Sequence, residues 1–304
     1  MSYIPSVNIE HNTANDFNYI VTENAKLVVG SLVNGFNSGH HSFTLIGTYG
    51  TGKSSFILAF ENDIKNRIGQ LVRNRKVFGD VKDFEFLNIV GDYAPLSKLI
   101  GRKLSTENEN PIDCLHQYYQ QLRKQNKFLF IVIDEFGKIL EYAANNNPEK
   151  ELYFLQKLAE FVNVPSRNII LITTLHQNFG SYAVKLTDTQ RNEWQKVKGR
   201  FEEVVFAEPV EQLLYLTTQQ MEAKPLSITT AAKLGFKILY DFAISSKIVS
   251  DRFKFSTAEK LYPLDPVSSV VLTIAIQRYG QNERSLFSFL SAQGKGSLNE
   301  FEPT

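Results

Sequence analysis

One cysteine, two methionines and one tryptophan in 304 residues are the scarcest features of this chain. Cys114 has no second cysteine to pair with, which excludes an intrachain disulfide framework and suits a reducing compartment. Charge of one sign is also lacking: 33 Lys and Arg stand against 32 Asp and Glu, a net of +1. No overall basic field therefore argues for nucleic acid and no acidic field argues against it, so nucleic acid is a partner that net charge does not support. Long apolar runs are missing too. Phe128 to Ile133 and Val270 to Ile276 fall far short of the roughly 20 residues that cross a bilayer. The N-terminus has no basic stretch followed by an apolar one, so no secretory leader is expected, and the chain reads as cytoplasmic without a membrane partner. Internal repeats, heptads and low-complexity linkers are absent. What remains is 43% hydrophobic composition, enough for a sizeable core in one large or two modest domains.

The strongest positive signal is Gly47-Thr48-Tyr49-Gly50-Thr51-Gly52-Lys53-Ser54, which fits the phosphate-binding pattern G-x-x-x-x-G-K-[S/T]. Ser42 to Ile46 before it predicts a short buried strand. Ser54 to Ile68 after it predicts a helix, with Ser55 in its first turn. Glycines let backbone N–H groups approach phosphate oxygens closely, and the helix N-terminus adds positive partial charge. Lys53 would bring a full charge to the β- and γ-phosphates, and the Ser54 hydroxyl would ligate Mg²⁺. The second signal is Phe128-Leu129-Phe130-Ile131-Val132-Ile133-Asp134-Glu135, a run suited to a central parallel strand ending where ligands of open α/β sheets sit. In this Walker B reading Asp134 would hold Mg²⁺ through water and Glu135 would orient or polarise the attacking water.

Other segments follow in order. Residues 1 to about 20 read as an extended arm; Thr22 predicts the cap of a helix ending near Asn37-Ser38-Gly39. Tyr19 and Ile20 are candidates to line an adenine pocket, with plain packing as the stronger reading. His40-His41 read as a loop, and Arg73-Asn74-Arg75-Lys76 as a solvated basic loop. Strands are expected at Phe84 to Val90 and Asn168 to Thr173, with helices through Leu96 to Ile100, Pro111 to Gln125 and Pro148 to Val162. Thr174, just past the fourth strand, is the first candidate to reach the γ-phosphate or water, and His176 the second. Arg200 precedes an expected strand, Phe201 to Phe206, where it can face a neighbour's ATP. From Pro209 onward the pattern turns helical, placing a boundary between domains at 1–208 and 209–304. The expected fold is α/β: a three-layer P-loop NTPase with a central parallel sheet, followed by a helical domain.

With Gly47 to Ser54, Asp134-Glu135, the polar turn at Thr174 and Gly199-Arg200-Phe201 in that order, the chain resembles the AAA+ and related STAND ATPases. Gly199-Arg200-Phe201, the following strand and Glu208-Pro209 look like the arginine-finger box of the origin-recognition and clamp-loader branch. Tyr262-Pro263-Leu264-Asp265-Pro266 and Gln281 to Leu290 look similar to the N-terminal ATPase part of large bacterial ATP-binding proteins associated with anti-phage defence. The resemblance implies that Arg200 acts in trans as a finger, and that Arg284 is the sensor 2 arginine of a helical lid. It also implies a homo-oligomer or larger complex as the working form. Proteins of that last kind continue into effector domains, so this chain is expected to be a fragment or a stand-alone subunit. A pore-loop aromatic pattern is absent, which puts a threading unfoldase in doubt.

Two functions compete. One is hydrolysis of ATP with Mg²⁺ driving an oligomeric or conformational switch. The other is a nucleotide-gated scaffold with little turnover, acting through a partner or effector. A GTPase is disfavoured because Asn126-Lys127-Phe128-Leu129 lacks the aspartate of the guanine-reading motif, and an ABC ATPase because no Leu-Ser-Gly-Gly-type signature occurs. A small-molecule kinase stays open as an alternative, although it would not need Glu135 beside Asp134.

Overall fold

The computed structural model describes residues 7–12, 19–106, 110–184, 186–208, 210–221, 230–251 and 253–279. In chain order the elements are α1 (Glu23–Asn37), β1 (Ser42–Ile46), α2 (Lys53–Asn66), β2 (Asp83–Val90), α3 (Leu96–Lys103), α4 (Pro111–Lys124), β3 (Lys127–Asp134), α5 (Phe136–Asn145), α6 (Pro148–Val162), β4 (Ile169–Leu175), α7 (Asp188–Lys198), β5 (Glu202–Val205), α8 (Val210–Met221), α9 (Thr230–Ser245), α10 (Phe255–Ala258) and α11 (Pro266–Tyr279). Helix starts follow the side chains available to cap them. The Thr22 hydroxyl accepts from Ala25 N–H at 3.0 Å, and Asn110 and Asn147 each cap a helix whose first residue is proline.

The five strands form one sheet in the order β2-β3-β4-β1-β5. Every pairing is parallel. A parallel sheet needs helices on both faces, and the sequence alternates accordingly. Along β3, Phe128, Phe130 and Val132 enter one buried cluster while Leu129, Ile131 and Ile133 enter the other. The first cluster is an aromatic layer in which Phe130 meets Phe60, Phe78, Phe84 and Phe86 at ring-centroid distances of 4.7–6.1 Å; α1 and α2 cover that face. Residues of α3 to α7 cover the opposite face, giving the three-layer α/β architecture expected. Polar groups on the central strands pair with each other: the Thr44 and Thr173 hydroxyls lie 2.9 Å apart in the buried interior.

The chain divides into two compact units. One holds Val7–Gly47 and Gly52–Phe206; the other holds Thr48–Thr51 and the described residues from Ala207 onward. The second is helical among its described residues, with its own core of Leu214, Phe236, Ala243, Val249, Phe253, Ala258, Leu261 and Val270.

Several boundaries differ from the sequence reading. The fourth strand continues through Leu175, because Thr174 and Leu175 still pair with Leu45 and Ile46 of β1. The fifth shortens to Glu202–Val205. The described part of the N-terminal segment is a turn rather than an extended arm: Ile9 is buried in the aromatic cluster and its carbonyl accepts from Asn88 Nδ2 at 3.3 Å. The basic run at Arg73 to Lys76 is partly a 3-10 turn over Arg75–Phe78. Helices α5 and α7 are not anticipated. Among the described residues no helix is long and apolar enough to cross a membrane.

Candidate nucleotide-binding site

At the carboxyl end of β1 the chain turns at Gly47, whose N–H donates to the Leu175 carbonyl at 3.1 Å. Gly50 and Gly52 have φ of 73° and 86°, the left-handed region that disfavours a side chain. A Cβ on Gly52 would meet no described heavy atom within 4 Å, so the demand for glycine there is one of backbone conformation. The Thr51 hydroxyl donates to the Thr48 carbonyl at 2.8 Å, and Tyr49 is exposed. Lys53 opens α2, with Ser54 and Ser55 partly exposed in its first turn.

The Lys53 ammonium is buried and donates to the Gly47 carbonyl. Burial lowers its pKa from 10.5 to about 8, although the Asp134 and Glu135 carboxylates pull it upward. The unfolded chain then holds more protons between about 8 and 10.5, so this group makes folding more favourable as pH rises through that window. Anion binding runs the other way, since phosphate needs the charged form. ATP affinity, read by titration calorimetry, is expected to fall about tenfold between pH 7 and pH 9, with proton uptake on binding at the higher pH.

Beside this lysine, β3 ends at Asp134. Thr174, wholly buried within β4, donates its hydroxyl to Asp134 Oδ1 at 2.6 Å. The Glu135 N–H donates to both Thr174 Oγ1 (3.0 Å) and Asp134 Oδ1 (3.1 Å). This triangle fixes the Asp134 carboxylate and turns the chain sharply, leaving Glu135 at φ 52°. A non-glycine residue in that conformation costs energy and here falls next to the site chemistry. The Glu135 carboxylate itself pairs with the Lys138 ammonium one helical turn on.

The turn also depends on Gly91, directly after β2. Its N–H donates to the Asp134 carbonyl at 2.7 Å, and a Cβ there would lie 2.4 Å from the Glu135 carbonyl oxygen. Backbone cannot give way as a flexible side chain would. Gly91→Ala is therefore expected to lower stability by about 1–3 kcal/mol, read as a lower thermal midpoint, and to slow turnover by shifting Glu135. Neither Gly91 nor Lys138 stands out in the sequence, although the i+3 spacing of Lys138 from Glu135 is a legible pairing signal.

His176 follows β4. Burial, reinforced by the Lys53 and Lys138 charges, lowers its pKa to about 4, so its imidazole is neutral throughout the physiological range. His176 directly follows Leu175, the β4 residue paired with Ile46, so it leaves the sheet at the same carboxyl edge as Gly47 and Asp134. Thr174 also belongs there, but not where the sequence reading puts it: it is inside the strand, its hydroxyl engaged with Asp134 and the Glu135 N–H.

Arg200 is elsewhere. The register pairs Glu202 with Phe43, so Arg200 sits at the amino edge of the sheet, while the phosphate loop leaves the carboxyl edge after Ile46. Five strand residues separate those levels, on the order of 16 Å. Its guanidinium donates to Glu160 Oε1 (3.0 Å) and to the Lys196 carbonyl (3.1 Å). Hydrogen bonds from Gln156, Lys157 and Arg200 hold the Glu160 carboxyl down at about 2. Arg284 and the segment Gln281 to Leu290 lie outside the described residues, as does Pro209.

No family model and no curated protein matches the chain. Among solved structures it is similar to the ORC2 protein of Aeropyrum pernix in its ADPNP-ADP complexes, with a TM-score of 0.47 and 17% identity over 68% of this chain and 54% of that one. It is similar to the ADP form of the same protein at a TM-score of 0.46 and 17% identity, over 77% and 62%. A third likeness is to the Aeropyrum pernix ORC1 protein in complex with DNA, at 0.42 and 11%, over 88% and 63%. This chain thus spans between 54% and 63% of the length of those chains. These likenesses are of fold alone.

Proposed function

We propose that the chain is an ATPase of the AAA+ type that binds ATP on Gly47 to Ser55 and couples its hydrolysis to assembly with other subunits. The observation that carries this reading is the gathering of Lys53, Asp134, Glu135 and His176 at the carboxyl ends of three adjacent parallel strands, with β4 between the phosphate-loop strand and the acidic one.

In this reading Lys53 neutralises β- and γ-phosphate oxygens, a task its partial desolvation strengthens. Glu135 leaves Lys138 and accepts a proton from the attacking water. The water oxygen bonds to the γ-phosphorus as the bond to the β–γ bridging oxygen breaks, releasing ADP and phosphate. Thr174 acts as a positioning residue that holds Asp134, and His176, neutral, offers a hydrogen bond at the γ-phosphate end. Ser54, partly exposed on the loop helix, and Asp134, a buried carboxylate, are hard oxygen donors that suit Mg²⁺ and would hold it, Asp134 through water. No cluster of three or more His, Cys, Asp or Glu that would suit another metal occurs among the described residues. When bound, Mg²⁺ would neutralise charge developing on the phosphoryl oxygens. Arg200, at the amino edge of its own sheet and so away from this site, is proposed to act on the ATP of a neighbouring subunit, with a homo-oligomer or larger complex as the working form. Arg284 is proposed to reach ATP from the helical domain. A defence setting rests on the sequence resemblance alone.

The test is ATP turnover by the parent chain and by Lys53→Ala. Loss of both binding and turnover in the variant supports the reading; tight binding without turnover in the parent supports the scaffold.

A further inference from the structure

A second concave site lies away from the nucleotide, where the C-terminus of α2 passes through an irregular loop to β2. The cleft has a volume of about 380 Å³. Its lining brings together Arg67, Arg73, Arg75, Lys76 and Lys82 against a single carboxylate, Asp80. Helix α2, 14 residues long, carries the chain on the order of 20 Å from the phosphate loop to this end.

Part of this charge has a local explanation. Arg75 donates to the Ile64 carbonyl at 2.8 Å and lies over the Phe84 ring at 5.0 Å, so it caps the negative end of α2. Lys76 has Asp80 at 3.6 Å, both side chains largely exposed. Arg67, Arg73 and Lys82 form no ion pair among the described residues. Asp63 does not answer them. Its buried carboxylate is engaged with three backbone N–H groups, Gln70 (2.7 Å), Leu71 (3.2 Å) and Val72 (2.8 Å), and so fixes the loop that presents the cations. Lys82 is fixed from the other side by its N–H, which donates to the Asn126 carbonyl at 2.8 Å. The side chains of Arg67, Arg73 and Lys82 are exposed around this concavity, within reach of an anion from solvent.

We propose that this cleft is an anion site for a small ligand bearing two or three linked phosphate groups, with Arg67, Arg73 and Lys82 as its principal contacts. Guanidinium forks and an ammonium match phosphate oxygens. The volume falls in the range of small-ligand pockets. No aromatic side chain lines the cleft, so bases have nothing to stack on, which disfavours an extended single strand.

The test is calorimetric titration with tripolyphosphate of the full chain carrying Lys53→Ala, which disables the phosphate loop without adding a second ligand that carries linked phosphates. A parallel titration with ADP distinguishes a nucleotide from a free polyphosphate. In that background Arg73→Glu with Lys82→Glu is expected to bind about 30-fold more weakly or worse with the melting profile unchanged, and with Lys53 intact the same pair leaves ATP turnover unchanged. Arg67→Ala, a milder change, is expected to give a smaller loss in the same direction. Equal binding by parent and double variant, or no binding by the parent at moderate salt, overturns the proposal. So does a single-stranded oligonucleotide that binds through these residues while tripolyphosphate does not.

Discussion

Glu135→Gln is expected to keep ATP bound and to hydrolyse it about 10² to 10⁴ times more slowly than the parent chain. The amide has nearly the same shape as the carboxylate, so the left-handed turn and the N–H contacts to Thr174 and Asp134 survive. What the proposed mechanism loses is its base. Replacement also removes the ion pair with Lys138, but that pair is half-exposed and contributes little to stability. Single-turnover hydrolysis with labelled ATP separates the two effects, since binding and chemistry are read independently. A variant that hydrolyses ATP as fast as the parent would remove Glu135 from the mechanism.

Arg200→Ala is expected to have an effect at least as large, a drop of about 10³ to 10⁵ in turnover with ATP affinity nearly unchanged. In one subunit the guanidinium is engaged with Glu160 and the Lys196 carbonyl, and exchanging that half-exposed pair for a phosphate is a small cost. The sharpest form of this prediction is a mixture. Lys53→Ala subunits lack a working site but keep the arginine, and Arg200→Ala subunits have the reverse. If the arginine acts across an interface, mixing the two inactive variants restores part of the activity; if both stay inactive in assemblies shown to contain both, the trans role fails.

Much of the fold and of the loop's backbone geometry was legible in the residues because chemistry ties type to position. The phosphate loop needs glycine where φ is positive, and Gly50 and Gly52 are there. The central strand is apolar on both faces because helices cover both, so Phe128 to Ile133 reads without ambiguity. Thr174 was harder. A threonine at a strand end looks the same whether it faces a ligand or the neighbouring carboxylate, and only the register of β4 between β1 and β3 aims its hydroxyl at Asp134. Gly91 carries no signal beyond that of a turn, because its role is to let another segment's backbone come close. The basic cleft escapes a linear reading for a similar reason: Arg73 to Lys76 is a short run, and the fold adds Arg67 and Lys82 from either side.

The central claim is that hydrolysis at Lys53, Asp134 and Glu135 requires a neighbour's Arg200. The measurement that tests it most directly is turnover per subunit as a function of protein concentration, for the parent and Arg200→Ala. The account predicts that parent turnover per subunit rises with concentration to a plateau as assemblies form, and that Arg200→Ala stays low at every concentration. Turnover per subunit that is constant with dilution and survives Arg200→Ala would contradict it and leave a site that works alone.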